Sequence, residues 1–265
     1  MLGVGVGTLG TLIGVGGGFV LVPILIFIYP KESPETITSI SLAVVFFNAL
    51  SGSIAYSRMK RIDYRSGLIF SLATIPGAIL GALIISYINK QIFNLIFGIL
   101  MIAGATFLFY RTRSRSTENE KPLNEKHTIR TLVDLEGTEH TFSFDMKIGV
   151  IISVLVGFLS SMLGIGGGIV HVPMMVHLLN FPVHFATATS HFILAIMAFV
   201  GTVVHIIDGS FTHMYVQTIA ISIGVLIGAQ FGARLSNIIH GIWIIRGLAI
   251  GLCFVGIRIL IMAFQ

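Results

Sequence analysis

Two stretches of this chain have the residue types and spacing to hold an anion. Gly14-Val15-Gly16-Gly17-Gly18-Phe19-Val20-Leu21-Val22-Pro23 recurs 150 residues later as Gly164-Ile165-Gly166-Gly167-Gly168-Ile169-Val170-His171-Val172-Pro173. Glycine carries no Cβ and samples positive φ, so such a run can leave helical geometry. The proline five residues on fits best in the first turn of a new helix, where its missing N–H costs nothing. A half-helix starting there presents free backbone N–H groups and roughly half a positive charge, which makes it an anion site. The competing reading is that the glycines only permit close helix packing. Three consecutive glycines exceed what packing requires, so that reading is kept for Gly77/Gly81 and Gly228/Gly232 instead.

Other polar side chains lie near these phrases in sequence. His171 follows the second glycine run by three residues, and His191 follows Thr187, Thr189 and Ser190, with Thr187 and His191 sharing a helix face. The first half has Thr38, Ser39 and Ser41 at the matching positions, and Asn48 lies inside an apolar segment. These groups would donate hydrogen bonds to an oxyanion, and a histidine near neutrality would carry a proton. The plainer reading has each histidine satisfied by a nearby carbonyl and each Ser or Thr bonded back to its own helix. That reading is favoured for His177 and His205, while His184, His213 and His240 read as interfacial. All eleven carboxylates fall in connections or at segment ends. Cation carriers and proton relays place acids within the membrane, so the interior inventory suits an anion better than a metal or sodium ion.

The elements that must position these residues are membrane helices. With 55% hydrophobic and 10% charged residues and a mean hydropathy of +0.96, the chain is not an ordinary soluble globule. Apolar runs at 1–29, 37–56, 67–88, 92–109, 148–179, 185–207, 215–235 and 243–264 approach or exceed the ~20 residues needed to cross a bilayer. They are too long and too uniformly apolar for barrel strands. Ser41 to Gly52 aligns with Ser190 to Gly201, and Gly77-Ala78…Gly81-Ala82 with Gly228-Ala229…Gly232-Ala233. The expected fold is an all-α polytopic membrane protein of two homologous four-segment repeats, each starting with a Gly-broken discontinuous or re-entrant helix. Residues 1–110 form the first repeat, 111–147 a polar linker and 148–265 the second.

The linker holds seven Lys/Arg and seven Asp/Glu, and its alternation around Glu136-Gly137 predicts a small hairpin. A solvated connection is favoured over a regulatory domain. Arg58, Lys60, Arg61 and Arg65 follow the second segment and Arg111, Arg113 and Arg115 the fourth, which places both connections in the cytoplasm. In the second half the matching 205–215 connection has no Lys or Arg, and the positives sit at Arg234 and Arg246. That exchange points to repeats inverted relative to each other. Loop-end cations account for the net charge of +5 without a nucleic-acid partner, and the lone Cys253 excludes an internal disulfide. Met1 opens into an apolar run without a basic leader, so no cleavable signal peptide is expected.

GVGGGFVLVP and GIGGGIVHVP, followed by ATATSHF and the GAxxGA segments, resemble the TauE/SafE family, grouped as sulfite exporters and sulfonate-related permeases. The resemblance covers nearly the whole chain and departs from it in the central insert. It implies a multi-pass permease of the cytoplasmic membrane moving small sulfur-containing or carboxylate anions, commonly outward. Its motif positions fall on Gly14, Gly16, Gly17, Gly18 and Pro23, and on Gly164, Gly166, Gly167, Gly168 and Pro173. The expected partners are a small anion and the lipid bilayer, with proton coupling through His171 or His191 and the oligomeric state left open. No cofactor, metal or nucleic acid is expected. The mechanism expected is alternating access between the two repeats. An anion channel would use the same breaks, and a non-transporting subunit fits the composition. The absence of HExxH, GxSxG and an intramembrane Asp pair argues against an enzyme.

Overall fold

A computed structural model describes residues 1–112, 128–133, 135, 137–210, 214–236 and 242–264. Arg113, Arg115, Glu136, His213 and His240 lie outside the described residues. Ten helices appear in order: α1 (Leu2–Ile13), α2 (Gly18–Ile28), α3 (Pro34–Arg58), α4 (Tyr64–Ile84), α5 (Lys90–Thr112), α6 (Met146–Leu163), α7 (Gly168–His177), α8 (Val183–Ile207), α9 (Tyr215–Leu235) and α10 (Ile242–Ala263). Between α5 and α6, strands β1 (Thr128–Val133) and β2 (Glu139–Phe144) pair antiparallel, from Thr128 opposite Phe144 to Val133 opposite Glu139. Among the described residues, α3, α4, α6, α8 and α9 are long and apolar enough to cross a membrane. The chain is a multi-pass, mostly helical membrane protein.

The helix starts follow local chemistry. Ser33 caps α3 by accepting from the Thr36 N–H, with Pro34 next and Glu35 in the first turn. Asp63 caps α4 by accepting from the Ser66 N–H, and Asp145 caps α6 by accepting from the Lys147 N–H. These carboxylates sit at helix ends rather than in helix interiors. The long apolar runs at each half's start are not single spans. The first divides into α1 and α2, of 12 and 11 residues, and the fifth into α6 and α7, of 18 and 10. A 12-residue helix reaches only ~18 Å, short of a ~30 Å hydrocarbon core.

Packing runs across the halves. α1 lies on α9 and α6 on α4, while α3 meets α8 and α5 meets α10. Small residues make the first two seams. A Cβ on Gly77 would collide with the Val154 carbonyl and one on Gly81 with that of Phe158; a Cβ on Gly228 would strike Val4 and one on Gly232 would strike Thr8. Backbones therefore touch, as in small-xxx-small packing of membrane helices. The α5–α10 pair joins the rest through larger side chains, with Gly104 against Ile169 and the Arg258 guanidinium 5.0 Å from the Phe27 ring centre.

The hairpin is docked on the helices. Phe142 and Phe144 are buried among Phe70, Phe181 and Phe185, and the Asn180 amide donates to the Ser143 carbonyl at 3.0 Å. Arg130 Nε lies 3.6 Å from Asp63 Oδ2. Asp63 is buried, and its N–H donates to Thr189 Oγ1 at 3.0 Å, which ties this corner to α8.

Candidate functional site

The two glycine phrases are the two breaks, and they meet. Each begins where a helix ends in a left-handed glycine: Gly14 (φ 84°) after α1 and Gly164 (φ 69°) after α6. Each next helix starts after another, Gly17 (φ 81°) before α2 and Gly167 (φ 65°) before α7. Gly16 and Gly166 also have positive φ, of 82° and 80°. A side chain at any of these positions is strained. A Cβ on Gly18 would collide with the Gly164 carbonyl, and one on Gly168 with the Gly14 carbonyl. The breaks thus touch backbone to backbone, each entering the space left by the other's missing side chains.

Within each break the chain doubles back on its own helix. A Cβ on Gly17 would lie 2.9 Å from Val6 Cγ1, eleven residues earlier, and one on Gly167 would lie 2.9 Å from Val156 Cγ1. Pro23 and Pro173 fall one turn later than the sequence suggests. The helices start at Gly18 and Gly168, because the positive-φ glycines just ahead redirect the chain, so each proline occupies the sixth helical position.

Polar side chains of the opposite half flank each break. Gly14 faces Thr187 of α8; Gly164 faces Thr38 and Ser41 of α3, and the Ser41 hydroxyl donates to the Gly164 carbonyl at 2.6 Å. Beside the first break, Thr11 Oγ1 donates to Asn48 Oδ1 at 3.1 Å, and the Tyr56 hydroxyl donates to the Thr11 carbonyl at 2.8 Å. The His191 ring stands edge-on to Tyr56 at 5.5 Å and packs on Gly52, whose Cβ would come 2.5 Å from His191 Cδ2. Thr11, Asn48, Tyr56 and His191 are all buried. The His191 ring lies by the Thr187 backbone, and Asn48 Nδ2 and Ser190 Oγ have no partner. At the second break the same is true of Thr38 Oγ1, Ser160 Oγ and Ser161 Oγ. A buried polar group without a partner costs about 1–3 kcal/mol, so these are the groups at the breaks with hydrogen-bonding capacity to offer. The buried polar set holds one carboxylate, Asp63, and no Lys or Arg among the described residues.

These features coincide with a family assignment. A family model described as "Sulfite exporter TauE/SafE" matches residues 1–259. The chain belongs to the TauE/SafE family. It is 35% identical to the probable membrane transporter protein YunE of Bacillus subtilis over 98% of this chain and 95% of that protein. A probable membrane transporter protein of Methanocaldococcus jannaschii is 27% identical over 79% of this chain and 72% of its own. Another from Bacillus subtilis, YdhB, is 26% identical over 85% and 84%. No solved structure matches the chain.

Not every residue that sequence singled out lies at the breaks of this TauE/SafE chain. Ser39 donates back to the Thr36 carbonyl at 2.8 Å. Thr189 accepts from Asp63. His171 sits beside Ser153 Oγ (3.4 Å) with its ring edge-on to Phe70 at 6.4 Å, in the aromatic cluster under the hairpin. Conversely, Thr11, Tyr56, Ser160 and Ser161 were not singled out. Ser160 carried one usable signal, since subtracting the 150-residue repeat places it opposite Gly10.

Proposed function

We propose that this TauE/SafE protein is a secondary transporter of a small anion, foremost sulfite or an organosulfonate, in the cytoplasmic membrane. It is not an enzyme. The carrying observation is the contact of two glycine breaks, each flanked by hydroxyls of the opposite half, with Asp63 the one carboxylate in the buried polar set among the described residues. Discontinuous helices at matching places in two halves are where transporter folds place their substrates. Backbone N–H groups after Gly18 and Gly168, with the hydroxyls of Thr38, Thr187 and Ser190, bind the anion, assisted by Asn48 and His191, while Ser41 fixes the Gly164 carbonyl. Gly14, Gly16, Gly164 and Gly166 supply the turns, and Pro23 and Pro173 hold the half-helices short. Each break makes its segment re-entrant, leaving an odd number of crossings per half and an inverted pair of repeats. The folding of Gly17 onto Val6 and the exchange of loop charges support that reading. The two repeats then exchange access between the membrane faces.

The test is uptake into proteoliposomes of labelled sulfite, sulfate, thiosulfate, a C2 sulfonate and acetate, with and without a pH gradient. The expected result is saturable flux of a sulfur-containing anion. A response to the gradient assigns proton coupling, for which His191 and His171 are the groups to replace. Flux that does not saturate makes the protein a channel, and no flux by folded protein overturns the transporter reading.

A further inference from the structure

The two breaks have nearly the same sequence but different backbone bonding. In the first, the Gly14 N–H donates to the Thr11 carbonyl at 3.1 Å, and the Val15 and Gly16 N–H groups both donate to the Gly10 carbonyl, at 2.8 and 3.1 Å. Among the described residues no such bond is seen for the equivalent N–H groups of Gly164, Ile165 and Gly166; the Gly168 N–H donates to the Gly166 carbonyl at 2.8 Å, and those of Val170 and His171 donate to the Gly167 carbonyl at 3.0 and 2.8 Å. One pair of residues explains the difference. Position 10 is glycine, and Gly17 settles onto it so closely that a Cβ there would collide with the Gly17 nitrogen. The equivalent residue is Ser160, whose Cβ and Oγ stand 3.1 and 3.0 Å from the place of a Gly167 Cβ, between the second break and α6. Ser160 is fully buried, and its hydroxyl has no partner.

This narrows the anion reading above, on which it rests: we propose that the second break, rather than both together, is the anion's seat and that it takes a singly charged oxyanion. The N–H groups of Gly164, Ile165 and Gly166 form a backbone nest next to the α7 N-terminus, and the Ser160 hydroxyl supplies a further donor. The α7 terminus provides roughly half a positive charge, and no buried Lys or Arg adds to it. The α6 carbonyl end, of opposite sign, meets it at the same break. Desolvation cost rises with the square of the charge, so neutral donors of this kind offset one negative charge and not two.

Calorimetric titration of the full chain in detergent with methanesulfonate, a permanent monoanion, and sulfate, a dianion, tests this. Methanesulfonate is expected to bind at least about tenfold tighter than sulfate. Ser160→Ala keeps the Cβ prop and loses the donor, which weakens methanesulfonate binding by about tenfold, the loss of one hydrogen bond to a charged group. Its anion-free unfolding midpoint does not fall below the parent value and is expected to rise, because a buried hydroxyl without a partner in the chain has been removed. Ser160→Gly lets the break close on α6 and removes binding. Sulfate binding as tight as methanesulfonate, or Ser160 variants that bind like the parent, overturns this proposal and leaves the anion reading standing. Failure of the folded parent to bind either ion overturns both.

Discussion

The first glycine break is held by its own chain and the second by the other half of the molecule. Residues 14–16 return three N–H groups to α1 carbonyls, and Tyr56 adds a fourth donor at Thr11. The carbonyl of Gly164 is instead held by Ser41, from a helix more than a hundred residues away in sequence. Side chains differ to match. Asn48, Tyr56 and His191 beside the first break correspond in sequence to Met197, His205 and Leu42. A duplicated phrase has thus diverged not in its glycines but in what surrounds them. On the proposal above, the first copy is a fixed buttress and the second keeps donors for the anion. Twofold repeats need not bind a ligand on their axis.

Replacing Gly18 or Gly168 by Val should have the largest effect. Either side chain drives into a carbonyl of the opposite break, so transport in proteoliposomes should disappear from both variants. Activity surviving in one would show that the breaks do not bear on each other. Gly10→Ser should come next. It copies the second break's prop into the first and strains packing by about 1–3 kcal/mol, read as a lower unfolding midpoint in detergent. An unchanged midpoint would mean that position 10 does not close the first break. Ser41→Ala should cost about 1 kcal/mol for its bond to Gly164. Ser190→Ala should cost no stability at all, since Ser190 is the sequence equivalent of Ser41 but its buried hydroxyl bonds nothing. Equal losses for the two serines would erase the contrast.

Much of this was legible in the sequence because it is local. A triple glycine interrupts a helix wherever it stands, and GAxxGA puts small residues on one helix face, so the breaks and the tight seams could be anticipated. Partnership across the halves was not legible. Nothing in 14–18 says that it touches 164–168 rather than a lipid tail, since that contact depends on α1 docking on α9 and α6 on α4. The neighbours of His171 were not legible either: it faces Phe70 and Ser153, because three residues along a helix turn a side chain most of the way round. The difference between the breaks was hidden by its smallness: Gly10 and Ser160 look like interchangeable small residues until the backbone is seen to rest on one and be propped by the other.

Amide hydrogen exchange of peptides covering 10–20 and 160–170, with and without methanesulfonate, tests the contrast most directly. Added anion should slow exchange at Gly164, Ile165 and Gly166 and leave Gly14, Val15 and Gly16, already bonded to α1, unchanged. Equal protection of both peptides, or of the first alone, would contradict the assignment of the second break as the anion's seat.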